Sequence, residues 1–254
     1  MPEQLRSFSR SGVAFVVLIA IWWIITGLGF VSRAYLPSPP AVSSALLDGL
    51  RDGSLLDNMS ASIVRLVVGY AIASILGIVV GVLMGLIPGI GRFFRPVLSF
   101  FNSLSGITWL PLAIAWFGIG PLTIGFVIFN SVFFIVAIST LSGVQSVPKV
   151  YENALLTLGG KPLDVVTQVL IPGAMPSVIT GLRLGMGFGW RALIAVEMVA
   201  GSVGMGYLIF QASYYFQQNI LLAGILVIGV IALILDRVIF EPLERRTIEC
   251  WGLV

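Results

Sequence analysis

The sequence has no histidine and one cysteine, Cys250. The first absence removes the commonest general base and metal ligand. The second excludes an intrachain disulfide and a cysteine-built zinc site. Charge is scarce as well: 10% of the 254 residues are charged, against 58% hydrophobic, and the mean hydropathy is +1.06. These values exclude an ordinary soluble protein. No grouping of nucleophile, base or metal ligand is found, so the chain does not read as an enzyme or a metalloprotein. The net charge of +3 is scattered over the ends of apolar runs, without the stripe or cluster that nucleic acid would demand. Its role is to fix topology.

What is present is apolar sequence in long runs. A spanning helix needs roughly 20 mainly apolar residues, and the chain reads as one all-α transmembrane domain, 1–254, with six such spans at 12–30, 63–87, 97–117, 122–144, 178–200 and 220–239. The first run follows a short basic start, as a cleaved signal peptide would. Its length and the lack of a small-x-small site favour a retained span. Between the first two spans, 31–60 opens on the proline-rich LPSPPAV. Val42, Ala45, Leu46 and Leu50 then recur at helical spacing beside polar residues, which predicts an external amphipathic helix; a plain solvated linker also fits. Gly69, Gly77, Gly81 and Gly85 share one face of the second span and permit close helix packing in lipid. PGIGRFFRP, Pro88 to Pro96, reads as a tight basic turn, GIGP as an uncharged turn, and the stretch reaching Gln218 as a glycine-bearing loop.

Basic residues concentrate in short cytoplasmic loops. With the N-terminus inside, cytoplasmic segments hold Arg6, Arg10, Arg92, Arg95, Lys149, Lys161, Arg183, Arg237, Arg245 and Arg246, whereas external segments hold only Arg33 and Arg51. Both termini are therefore expected in the cytoplasm, together with the polar segment 151–176. Local rules predict two short helices there, joined by a sharp turn and closed by Pro172 and Pro176. Gly159 or Gly160 suits a left-handed cap, Pro162 the first position of the next helix, and Asp164 its first turn. Leu163, Val166 and Leu170 make an apolar stripe that fits either a groove on a soluble partner or the ends of the chain's own spans.

Polar groups inside spans are costly, ~2.5–3.5 kcal/mol for a charge at a helix centre. Arg191 and Glu197 lie six residues apart, too far around a straight helix to pair with each other. Arg191 suits either attraction of an anion or a structural ion pair. Glu197 is expected to brace the structure and Arg65 to anchor at an interface. Asn102, Ser105 and Trp109 share a helical face, and with Thr108 and Asn130 they give the third and fourth spans unusual polarity. A pathway lining is the working hypothesis, with polar helix contacts as the other reading.

The segment 151–176 resembles the coupling loop of ABC importer permeases, whose pattern is Glu-Ala-Ala, three residues, Gly, nine residues, Ile, one residue, Leu-Pro. Placing its glycine on Gly159 puts the closing positions on Val169, Ile171 and Pro172 and the alanines on Ala154 and Leu155. The acidic position falls on Asn153, with Glu152 one residue earlier. WLPLAIAWFGIG, GLRLGMGFGW with AVEM, and LILDRVIFEPLERR extend the likeness over nearly the whole chain. They are similar to the subclass serving nitrate, bicarbonate, taurine, alkanesulfonates and some aromatic or pyrimidine compounds. The resemblance implies a type I importer fold in a bacterial inner membrane and a permease homodimer. It also implies two cytoplasmic ATPase subunits, an external solute-binding protein, and ATPase coupling through Glu152, Asn153, Ala154, Gly159, Gly160, Lys161, Pro162, Leu163, Asp164, Val166 and Pro172. No cofactor is expected on this chain, because Gly160-Lys161-Pro162 fails as a phosphate-binding loop where the magnesium-holding hydroxyl belongs. ATP and magnesium belong to the partner. The alternative is a secondary carrier or channel driven by an ion gradient, with Glu197 and Asp236 as its candidate relays.

Overall fold

The computed structural model describes residues 16–28, 32 and 35–244. Arg6, Arg10, Arg33, Arg245, Arg246, Cys250 and the outer parts of the expected first span lie outside the described residues. Among those described there is no strand. The helices are α1 (Val16–Gly27), α2 (Pro39–Arg51), α3 (Ser54–Leu86), α4 (Pro88–Ser103), α5 (Leu110–Phe117), α6 (Pro121–Ser146), α7 (Lys149–Thr157), α8 (Pro162–Val165), α9 (Ile171–Ala200), α10 (Met205–Tyr214) and α11 (Gln218–Ile234).

The centre of the fold is α6, flanked by α3 and α9. Val127, Ile128, Val132, Val136, Ala137 and Leu141 are wholly buried along it. Both neighbours turn glycines toward it, so that the backbones nearly touch. A Cβ on Gly81 would lie 2.6 Å from the Ala137 carbonyl oxygen, and one on Gly85 2.6 Å from Val144. From α9, a Cβ on Gly181 would meet Ser139 at 2.4 Å and one on Gly189 would meet Val132 at 2.8 Å. Without a hydrophobic drive between helices in lipid, such close approach supplies the packing energy. The glycine stripe of the second span is thus a packing device, as its spacing suggests.

Among the described residues, four helices are long and apolar enough to cross a membrane: Ser54–Leu86, Pro121–Ser146, Pro162–Ala200 and Gln218–Glu244. Several expected boundaries move. The amphipathic segment is the helix α2, but α3 begins at Ser54. Its N-terminus is held by Asp52, which accepts from both the Ser54 hydroxyl and the Ser54 N–H. Those two bonds, the hydroxyl's first, hold the Asp52 carboxyl below its ordinary value. The Pro88–Pro96 stretch is not a turn: Pro88 opens α4, where a proline lacks only an N–H that has no helical acceptor anyway. The third span is not one helix. Pro88–Ser103 and Gly106–Phe117 meet at 86°, with Leu104 and Ser105 extended between them.

Pro172 and Pro176 do not close the segment before the fifth span. A π turn, Val166–Leu170, carries α8 straight into α9, and the Ile171 N–H reaches the Val166 carbonyl five residues back. That wider turn just ahead of Pro172 absorbs the proline without a break. The stretch from 200 to 218 is not a simple loop either, since it contains α10.

Candidate permeation site and coupling turn

The break in the third span shapes a cavity. Gly106 follows the extended pair directly against α6, where an added Cβ would lie 1.8 Å from the Ser131 hydroxyl oxygen. Only glycine lets the chain turn this close. The resulting cavity, about 410 Å³, is bordered by Asn102, Ser105, Asn130, Ser131, Phe188 and Arg191, among others. Four sequence-predicted pathway residues, Asn102, Ser105, Asn130 and Arg191, therefore meet at one place. They do so through the break, because α4 ends at Ser103 and Asn102 and Ser105 share no helical face.

Thr108 and Trp109 are not in this lining. Thr108 is exposed on the short 3₁₀ turn Gly106–Trp109. Trp109 packs among aromatic rings, 5.7 Å from Phe101 and 6.4 Å from Phe126 between centroids. Ser131 and Phe188 are lining residues that sequence reasoning missed. Phe188 had a readable signal, since it precedes Arg191 by three residues and so shares its helical face.

Arg191 is exposed, and its guanidinium lies over the Phe188 ring at 5.8 Å. No carboxylate among the described residues pairs with it. Glu197 differs completely. It is fully buried and accepts from Arg65 at 2.8 Å, from the Ser62 hydroxyl at 2.7 Å and from the Gly206 N–H at 3.1 Å. Arg65 is thus an ion-pair partner across α3 and α9, rather than an interfacial anchor. The same cluster caps α10: the Met205 N–H donates to Ser62 and the Gly204 N–H to Asn58. The free donors of that helix start are satisfied by side chains from α3 and α9. Gly204, at φ 139°, has no room for a Cβ beside the Glu197 carboxylate.

Arg183 and Asp236 form a second ion pair, at 2.7 and 2.8 Å through two nitrogens, and Arg183 also bonds Glu244. Arg183 lies inside α9, and Arg237 lies in the π turn Leu235–Phe240 that extends α11. Neither is a loop charge. Arg183 ties α9 to the end of α11.

The segment 151–176 is assembled largely as its residues suggest. Gly159 takes φ 87°, the Gly160 N–H donates to the Leu155 carbonyl and the Gly159 N–H to that of Leu156. This pair of bonds is the Schellman ending. The Asp164 carboxylate accepts from the Lys161 N–H at 2.8 Å, and Pro162 opens α8. The expected stripe divides between two faces. Val165 and Leu170 are buried with Val147, whereas Leu163 and Leu158 are 71% and 85% exposed. Glu152 is half-buried and Asn153 and Ala154 are exposed. Among the described residues, no group of three or more His, Cys, Asp or Glu could hold a metal ion.

Residues 73–247 match the family model described as binding-protein-dependent transport system inner membrane component. The chain is 36% identical to the taurine transport system permease protein TauC of Escherichia coli, over 98% of this chain and 92% of that protein. It is 31% identical to the putative aliphatic sulfonates transport permease protein SsuC of Bacillus subtilis, over 92% and 84%. It is also 31% identical to the nitrate import permease protein NrtB of a Synechocystis strain, over 91% and 86%. Among solved structures, an inward-facing form of the MetNI methionine ABC transporter matches with a TM-score of 0.60 at 15% identity, over 73% of this chain and 92% of that one. The structural match shows that fold, and the sequence match covers most of the chain: the protein belongs to the binding-protein-dependent transport permeases, the membrane-spanning subunits of ABC importers.

Proposed function

We propose that this permease passes a small anion, of the sulfonate, nitrate or bicarbonate type, through the cavity at the break of its third span. The observation that carries this reading is Arg191. An unpaired guanidinium on an exposed face of a long apolar helix is costly in hydrocarbon, and here it borders a cavity with Asn102, Ser105 and Asn130. Those side chains supply donors to an oxyanion, and Arg suits its geometry. The names of the relatives, taurine, aliphatic sulfonates and nitrate, agree with that chemistry.

In this reading the chain works as a dimer with a second copy, in lipid of a bacterial inner membrane, with both termini in the cytoplasm. An external solute-binding protein delivers the solute. Two ATPase subunits hold ATP and magnesium and dock on the α7–α8 turn. Leu158 and Leu163 offer it apolar anchors, and Glu152 or Asn153 a polar contact. ATP binding draws the two turns together and switches the pathway from inward- to outward-facing, and hydrolysis resets it. The coupling is one of differential contacts in two states.

Against a gradient-driven carrier stands the pairing of the candidate relays. Glu197 and Asp236 are each bound to an arginine, so each carboxylate is engaged in an ion pair between helices and does not stand free as a relay. The test is uptake into proteoliposomes holding the permease with its ATPase, with binding protein outside and ATP enclosed. Uptake is expected to require ATP and to ignore imposed proton or sodium gradients; gradient-driven uptake without the ATPase overturns the proposal.

A further inference from the structure

We infer that Phe188 is a positioning residue that holds Arg191 at the wall between two cavities, where its guanidinium can meet an oxyanion on either side. The inference rests on the pathway reading above. A second cavity, about 320 Å³, lies between α9 and the end of α11 and is bordered by Arg183, Gly187, Trp190 and Asp236, among others. Among the described residues, only Phe188 and Arg191 border both this cavity and the one at the helix break. The two cations near the second cavity have opposite fates. Arg183 is committed to Asp236 and Glu244, so its charge is neutralised in place. Arg191 has the Phe188 ring instead, at 5.8 Å.

That difference matters chemically. A carboxylate beside Arg191 would fix the guanidinium but occupy its donors and cancel its charge against an incoming anion. An aromatic face attracts the cation through its quadrupole and leaves the charge, and the N–H groups in the ring-free directions, open to solute. The side chain is thereby steadied without being spent, which lowers the ordering cost of binding. The spacing enforces the arrangement, because residues three apart on a helix are neighbours. Phe188 is 48% exposed, so its ring is no part of the packed core and its exchange leaves the α3–α6–α9 contacts intact.

Arginine-selective labelling with phenylglyoxal, read residue by residue by mass spectrometry on the permease–ATPase complex in nanodiscs, tests the inference without knowledge of the natural solute. In the native complex, methanesulfonate and nitrate at matched ionic strength are expected to slow labelling of Arg191. Phe188→Leu is expected to speed Arg191 labelling and weaken that protection, each by about threefold. Phe188→Trp restores both, and labelling of Arg183 stays unchanged as an internal control. If neither anion protects Arg191 in the native complex, the pathway reading fails and this inference with it. If both protect it but Phe188→Leu labels and protects as the native complex does, or Phe188→Trp is as impaired as Phe188→Leu, the role of Phe188 alone is overturned.

Discussion

Arg65 on α3 and Glu197 on α9, 132 residues apart in sequence, share a 2.8 Å ion pair whose carboxylate is completely shielded from solvent. The pair stitches together the two helices that flank α6, and through Gly206 and Ser62 it also fixes the start of α10. Removing one member of a buried pair leaves an uncompensated charge. Arg65→Ala is therefore expected to destabilise by about 3–5 kcal/mol. The double variant Arg65→Ala with Glu197→Gln should recover part of that loss. Thermal unfolding of the purified permease in detergent checks both. A double variant less stable than Arg65→Ala alone would show that the charge is satisfied without Arg65.

Close approach of α3 and α6 makes a second prediction, with its own control. Gly81→Ala drives a Cβ to 2.6 Å from a backbone carbonyl that has little freedom to move, and should cost about 1–3 kcal/mol. Gly125→Ala, on α6, meets nothing within 4 Å and should be neutral or slightly stabilising in the same unfolding measurement. Equal effects at the two sites would mean that helix propensity, not packing, decides.

The coupling turn gives a third. Gly159 stands at φ 87° with open space around it, so a substitution there strains the backbone by about 1–2 kcal/mol without a clash. Asp tolerates the left-handed region better than most residues, so Gly159→Asp tests the docking surface more than the fold. It is expected to leave the permease inserted and folded while ATP hydrolysis by the complex no longer drives uptake. ATPase and uptake assays on the same proteoliposomes decide, and unimpaired ATP-driven uptake would remove the turn from the coupling route.

Local devices were legible because they depend on neighbours in sequence. The Gly-Gly-Lys-Pro run spells out a helix stop and a helix start, and the turn is built that way. The glycine stripe of α3 needs only a helical period to be seen. The break in the third span was not legible: the polar run from Asn102 to Thr108 reads as a polar stretch of one continuous helix, and the close approach of Gly106 to Ser131 of another helix is visible only in three dimensions. Pro172 reads as a stop until the π turn ahead of it is known. Arg65 reads as an interfacial anchor until α9 is laid beside α3, since nothing local pairs it with Glu197. Asn102, Ser105, Asn130 and Arg191, which border the cavity, stand out in the sequence as polar or charged groups inside apolar spans. Trp109 shares a face with Asn102 and Ser105 only on a continuous helix, which the break abolishes, and Thr108, polar as it is, lies outside the cavity lining.

The most direct measurement is ATP-driven uptake of a labelled sulfonate or nitrate by the reconstituted importer carrying Arg191→Ala. The side chain is exposed and forms no ion pair among the described residues, so thermal stability should stay within about 0.5 kcal/mol of native, as for other surface positions. Uptake should fall at least about tenfold, the scale of one lost charged hydrogen bond, with Arg191→Lys intermediate. Uptake at the native rate by a stably folded Arg191→Ala complex would contradict the assignment of this cavity as the solute path.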